Sequence, residues 1–321
     1  MSRATASADL SAPADAAGGA FRAAIETTKP RITRLVTLTS AMGFAVALLA
    51  SGERPAFGAT VLTALAAVLG TALSASGANT INQWWERERD GRMPRTAGRP
   101  IPTARIDAGA ALAWGVALGI IGVGVLWVGA GVVPASIAAA TILLYVFIYT
   151  PMKVRSAWCT VIGAVPGALP PVIGWSAAAG GNDFSAAIAP GALSLFALMT
   201  VWQLPHFYAI AWMYRDDYAA GEYRVLPRDD ANGKKLASWM VPTAALLVPV
   251  SAWPAFAMGE GVAFVYLAIA VLSSLAYFAM TVRFARDRSR ERARTVFFAS
   301  IAHLPVLLVV LVAESTLRAA L

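Results

Sequence analysis

Eight stretches of this 321-residue chain contain no Asp, Glu, Lys or Arg: 35–52, 56–85, 108–152, 156–182, 184–214, 236–259, 261–282 and 295–313. Crossing a hydrocarbon core of ~30 Å takes a helix of ~20 predominantly apolar residues. The run 108–152 holds 45 residues and carries "GAGVVP" at 129–134, where Gly and Pro mark a tight turn between two spans. The runs therefore predict nine transmembrane helices. Helices are required because lipid offers no partners to bare backbone polar groups, and the alternation of a membrane barrel is absent. Composition agrees: 58% of residues are hydrophobic and 14% charged, against about 25% charged in a soluble domain. The fold class expected is all-α, a polytopic membrane bundle.

The net charge of +8 raises the question of nucleic acid, and its distribution answers it. With nine spans and the N-terminus inside, the inner segments are 1–34, 86–107, 151–156, 215–235 and 283–294. They hold 24 of the 26 Lys and Arg, with only Arg54 and Arg318 outside. Such asymmetry is what orients membrane proteins, with bases on the cytoplasmic side and against anionic lipid. The expectation is a multi-pass protein of a prokaryotic inner (plasma) membrane, its N-terminus cytoplasmic, with the lipid bilayer and no nucleic acid as partner. Residues 1–27 are Ala/Ser/Asp/Gly-rich and read as a disordered cytoplasmic segment. Residues 28–321 read as a single nine-helix domain. The first segment lacks the apolar stretch of a secretory signal, and Asp9, Asp15 and Glu26 argue against a transit peptide. The single cysteine, Cys159, excludes an intrachain disulfide and reads as a small buried side chain.

Charge returns abruptly in "NQWWERERDGRMPRTAGRP" (82–100). Asn82, Glu86 and Asp90 stand at i, i+4 and i+8, on one helix face. The second span is expected to run past the membrane surface as a solvent-facing helix end until Gly91 and Pro94 stop it. A plain reading is a solvated helix end with its acids paired to nearby arginines. A second acid cluster follows the sixth span in "MYRDDYAAGEYRVLP" (213–227), with Asp216, Asp217 and Glu222. The four-helix interval between clusters suggests two related halves with a site at their interface. Mg²⁺ is bound by a few carboxylates together with substrate phosphates, and Arg grips phosphate oxygens bidentately. The candidate phosphate bases are Lys29, Arg31, Arg95, Arg99, Lys153 and Arg155. Facing acids and bases at one end of an apolar bundle point to a lipid diphosphate, head at the acids and tail among the helices.

Four stretches carry a resemblance: "TKPRITRLVTLT" (28–39), "GANTINQWWERERDGRMPRTAGRPI" (77–101), "YTPMKVRSAWCTVIGAVPGALPPVIGW" (149–175) and "WQLPHFYAIAWMYRDDYAAGEYRVLP" (202–227). They resemble the UbiA superfamily of intramembrane prenyltransferases, and within it the haem-farnesylating branch. The superfamily's first motif has adjacent Asn and Asp, then Asp at i+4 and i+8. Here it becomes Asn82, Gln83, Glu86 and Asp90, departures that fit the haem-modifying branch. The second motif is a ladder of aspartates four apart. Here only Asp217 keeps a rung, flanked by Met213 and Gly221 with Asp216 alongside, which thins the second metal site. The resemblance implies transfer of the farnesyl group of farnesyl diphosphate to a vinyl group of haem B. Water adds, and haem O and diphosphate leave. It implies Mg²⁺ on Asn82, Glu86, Asp90, Asp216 and Asp217, catalytic roles for Asn82, Glu86, Asp90, Lys153 and Asp217, and haem B as substrate rather than cofactor. Haem A synthase and terminal-oxidase assembly are the implied downstream partners.

Ionisable groups inside a bilayer are functional candidates, and the two histidines, His206 and His303, both lie in spans. Either could simply bridge helices as a neutral imidazole. His206 precedes Asp217 by eleven residues, a rise of ~16 Å on a continuous helix that would carry both on one face. His206, with Met213 between them, is therefore the expected haem contact. Two rivals stay open: a transporter, whose site would sit near the midplane on broken helices, and a UbiA-type enzyme with a quinone precursor or chlorophyll-like ring as acceptor.

Overall fold

The computed structural model describes residues 12–52, 56–227, 230–259 and 261–320; residues 1–11 and Arg54, both used in the charge pattern above, lie outside them. Among the described residues, nine helices are long and apolar enough to span a membrane. In chain order the helices are α1 (Ala12–Thr27) and α2 (Pro30–Ser51), α3 (Phe57–Asp90), α4 (Ala108–Ala130), α5 (Val132–Met152), α6 (Cys159–Ala178) and α7 (Pro190–Met213). After these come α8 (Arg215–Ala220), α9 (Lys234–Ala257), α10 (Phe264–Asp287) and α11 (Arg290–Ala320). The α4–α5 turn falls at Gly131, whose φ of 106° lies in the region glycine adopts readily and other residues avoid.

Between lipid-embedded helices, close packing rather than hydrophobic burial drives association, and small residues permit it. The α3–α4 pair uses them. A methyl at Gly77 would strike the backbone of Gly115 and Gly119, and one at Gly122 would strike Ser74. Gly43 of α2 lies against the backbone of Pro171 in α6, and Gly174 against that of Ser40. These seams hold α3 against α4 and α2 against α6 at backbone contact.

The expectation that residues 1–27 are disordered is corrected for 12–27, which are helical. The Ala-rich stretch favours helix, and its end docks on α3. Ala23 and Thr27 are buried, the Thr27 hydroxyl lies 3.1 Å from that of Thr80, and Gln83 donates to the Thr27 carbonyl at 2.7 Å. Arg105, from the α3–α4 loop, clamps Glu26 through two bonds of 2.7 and 3.0 Å.

Further cross-links gather the basic segments at one end of the bundle. Arg92 pairs with Glu222 at 2.9 Å. The Arg224 amide donates to the Lys153 carbonyl at 2.6 Å, and Arg288 to the Asn232 carbonyl at 2.8 Å. The acid-bearing ends of α3 and α7 therefore lie together, as the charge pattern required.

Candidate active site

α3 runs 34 residues, ends at Asp90 and is capped by Gly91. The exposed helix end expected from the sequence is corrected: Glu86 is 6% exposed, Asp90 1%, and Asn82 and Gln83 are buried. Flanking segments fold over this end and bring one base to each polar position of its face. The Lys29 ammonium donates to Asn82 Oδ1 at 2.6 Å. Lys153 meets Glu86 Oε1 at 2.7 Å, and Arg99 meets Asp90 Oδ2 at 2.5 Å. The result is a three-rung ladder of acid or amide against base, two turns long, its acids buried and its bases half-buried.

Two of the bases are set by local features of the chain. Lys29 precedes Pro30, which disfavours the right-handed helical region for it. It adopts φ 50°, ψ 65° instead, a left-handed conformation costing a non-glycine residue about 1–3 kcal/mol. Burial and the Arg99 guanidinium push the Lys29 ammonium down to about 7. Lys153 comes just after α5, whose regular winding is interrupted by a π-helical turn at Leu144–Tyr149. Such a turn inserts a residue and rotates the chain beyond it. Thr150 thereby reaches Asn82 Nδ2, accepting at 2.9 Å, and Lys153 reaches Glu86 one turn along. Burial alone would lower the Lys153 ammonium, but Glu86, with Tyr149 behind it, holds it well above its ordinary value. The ammonium lies 4.7 Å from the centroid of the Tyr149 ring and 5.8 Å from that of Tyr223.

The second cluster joins through Arg95, whose Nε lies 3.8 Å from Asp217 and whose guanidinium covers the Tyr214 and Tyr218 rings at 5.0 and 5.5 Å. Asp216 does not join; its carboxylate is 95% exposed, beside its neighbour Arg215. Arg31 and Arg155 are exposed on α2 and the α5–α6 turn. The expected single face carrying His206 and Asp217 is also corrected. α7 passes Pro205 but stops at Met213, and Tyr214 (φ −114°, ψ 27°) redirects the chain into α8. His206 instead packs between α7 and α11, stacked between Trp202 and Phe297, with Nδ1 2.6 Å from the Ser300 hydroxyl. His303 lies deeper, 3.5 Å from the Ser251 hydroxyl. Tyr149, Thr150, Tyr214 and Tyr223 were not among the residues expected at the site. All stand inside the motif stretches, but a tyrosine or threonine beside charge carries no signal until its contacts are known. The Tyr223 hydroxyl is buried without a partner, and burial, then Glu86, keeps it protonated by pushing it up.

The ladder retains two buried acceptor atoms with no hydrogen-bond partner, Gln83 Oε1 and Asp90 Oδ1. Among the described residues, no three acids, histidines or cysteines converge tightly enough to hold a metal alone. Hard oxygens short of a complete shell fit Mg²⁺, which takes its remaining ligands from water and substrate phosphates.

Known proteins share both the sequence and this architecture. The profile of the UbiA prenyltransferase family matches residues 36–302. The chain belongs to the UbiA prenyltransferase family. Among its relatives, protoheme IX farnesyltransferase of Solibacter usitatus is 44% identical over 285 residues, 88% of this chain and 95% of that protein. The protein of the same name from Opitutus terrae is 37% identical over 305 residues, 93% of this chain and 96% of that one. Digeranylgeranylglyceryl phosphate synthase has a solved structure matching with a TM-score of 0.71 at 16% identity, over 92% of this chain and 98% of that one. A UbiA homologue from Archaeoglobus fulgidus bound to GPP and Mg²⁺ matches at 0.62 and 17%, over 92% and 100%. The likeness to these structures confirms the all-helical fold expected for a UbiA prenyltransferase.

Proposed function

We propose that this UbiA prenyltransferase moves the farnesyl group of farnesyl diphosphate onto a vinyl group of haem B, with addition of water, yielding haem O and diphosphate. One observation carries the placement of the reaction: the buried ladder of Asn82, Glu86 and Asp90 against Lys29, Lys153 and Arg99, in a chain 44% identical to a protoheme IX farnesyltransferase. Three bases oppose two carboxylates, a surplus suited to an anion. Asn82, Gln83, Glu86 and Asp90 would hold Mg²⁺, with Asp217 closing the site through Arg95. Bound there, Mg²⁺ neutralises charge on the diphosphate and makes it a better leaving group.

The chain's own groups do the rest. When the allylic C–O bond breaks, negative charge grows on the departing diphosphate. Lys29, Lys153 and Arg99 are preorganised to meet it, and removing one such donor from an enzyme costs about 10²–10³ in rate. The Tyr223 hydroxyl is a further donor free for a phosphate oxygen. The allylic cation needs a dry surrounding until the vinyl carbon attacks it, which the apolar spans provide. Water then adds to the cation formed next to the porphyrin, and its proton leaves. His206 and Met213 are proposed as the haem contacts on α7. The ladder end is proposed to face the cytoplasm of a prokaryotic plasma membrane, with haem A synthase and terminal-oxidase assembly as users of the product. The test is to incubate membranes holding the chain with haem B, farnesyl diphosphate and Mg²⁺. Haem O is the expected product; its absence, with a quinone precursor prenylated instead, would reject the acceptor.

A further inference from the structure

Where α7 ends and α11 begins, a cavity of about 600 Å³ opens at the basic end of the bundle. Its floor is apolar and aromatic: Met213, Phe297 and Phe298. Its rim carries Arg290 and Arg294, one helical turn apart, with Glu291 as the single acid. Tyr214 forms the remaining wall, and the same ring lies under the Arg95 guanidinium that reaches Asp217. The cavity therefore adjoins the Arg95–Asp217 pair of the second acid cluster. Behind its floor, Phe297 stacks on His206 with centroids 5.2 Å apart.

The rim arginines differ from two of their neighbours in the basic 283–294 run. Arg292 pairs with Asp287 at 3.4 Å, and Arg288 is spent on the Asn232 and Ala285 carbonyls. Arg294 instead lies over Phe298, 5.4 Å from its centroid, at the join of aromatic floor and charged rim. They also stand on the first turns of a 31-residue helix, whose N-terminal end carries a partial positive charge. The volume lies within the ~300–1,000 Å³ of small-molecule sites, which are mainly apolar with a few placed polar groups.

We infer that this groove receives the acceptor of the reaction, a flat tetrapyrrole whose two carboxylates are held by Arg290 and Arg294. This rests on the reading that the acceptor is haem B. Haem carries both propionates on one edge and its vinyl groups towards the opposite one. Carboxylates at the rim turn the vinyl edge inward, away from water, with Met213 and the aromatic rings against the macrocycle. A quinone precursor with a single ring would leave the aromatic floor largely uncovered. Arg290 and Arg294 are positioning residues here, since they hold the edge remote from the reacting carbon.

The test is an absorbance titration of the purified full chain in phosphatidylcholine nanodiscs, using ferric protoporphyrin IX and its dimethyl ester, in which both propionates are capped. Charge-assisted hydrogen bonds of this kind predict a preference for the free acid on the order of tenfold. Arg290→Gln with Arg294→Gln should bring haem affinity down to that of the ester, while the Lys pair Arg290→Lys with Arg294→Lys keeps part of the preference. Equal affinity of the unmodified chain for haem and ester, or an unchanged haem affinity in the Gln pair, overturns the assignment. So does an effect seen only in phosphatidylglycerol nanodiscs, which would assign the arginines to lipid headgroups. The two readings fail separately. A chain that binds haem without the arginines rejects the groove alone, whereas a chain that binds neither porphyrin rejects haem as acceptor as well.

Discussion

Glu86 and Lys153 form a pair that geometry makes interdependent: 2.7 Å apart, with side chains 6% and 14% exposed. Removing one member of a buried pair strands the other charge, at about 3–5 kcal/mol, whereas replacing both is often near neutral. Glu86→Gln and Lys153→Met should each lower the unfolding temperature, and the double variant should recover most of it while remaining inactive. Additive losses, read by thermal denaturation, would mean that the two residues act independently. His206 makes a different demand. His206→Ala should shift the absorption spectrum of bound haem and weaken its binding, with farnesyl diphosphate affinity little changed; Met213→Leu is the comparison. Unchanged spectra in both would leave them packing residues and move attention to His303. The face of Asn82, Glu86 and Asp90 was legible from spacing alone, and so were the bases near it in sequence. Base could not be assigned to acid, because Lys29 and Lys153 arrive from segments 53 and 67 residues away and Arg99 only by the fold of the α3–α4 loop. Nor could the burial of the acids be anticipated, since it depends on α1 and the α3–α4 loop closing over the helix end.

At the scale of elements, two irregularities shape the site. The π-helical turn of α5 sets the rotation of Thr150 and Lys153, and an α-helix advances ~100° per residue. Deleting Phe147, an exposed residue within that turn, should restore regular winding and carry Lys153 off Glu86. The variant is expected to fold and insert, with transfer lowered by at least about 100-fold, the cost of one lost charge-stabilising donor; near-normal turnover would show that the turn does not set the geometry. The second irregularity is the break at Tyr214. An eleven-residue interval with no charge before Arg215 gave no sign of it, so a continuous helix was the natural reading. The break turns Asp217 towards Arg95 and leaves His206 facing α11. Elements with strong local causes were legible: α3 stops at Gly91, and α4 turns at Gly131. Elements decided by tertiary contacts, such as α1 docking through Thr27, were not.

For the whole molecule, the asymmetry of charge predicts which side of the membrane holds the ladder. With Cys159→Ala as background, a cysteine at the exposed loop position Gly98, where a side chain meets open space, should react with an impermeant maleimide only in inside-out vesicles; reaction in right-side-out vesicles would reverse the orientation. The nine spans were readable because charge is costly in lipid and its absence marks each crossing. The pairing of the two acid clusters was partly readable, since both lie at ends on one side, but the Arg92–Glu222 and Arg95–Asp217 bridges that join them depend on loop geometry. The ladder at the end of α3 is proposed to bind the diphosphate together with Mg²⁺. Calorimetric titration of farnesyl thiodiphosphate, a slowly cleaved analogue, into the purified chain tests this with and without Mg²⁺. Mg²⁺ should tighten binding by about tenfold or more, a difference of ~1.4 kcal/mol, and Asp90→Asn should abolish most of that gain. An Mg²⁺ gain undiminished in Asp90→Asn, or no gain in the unmodified chain, would contradict it.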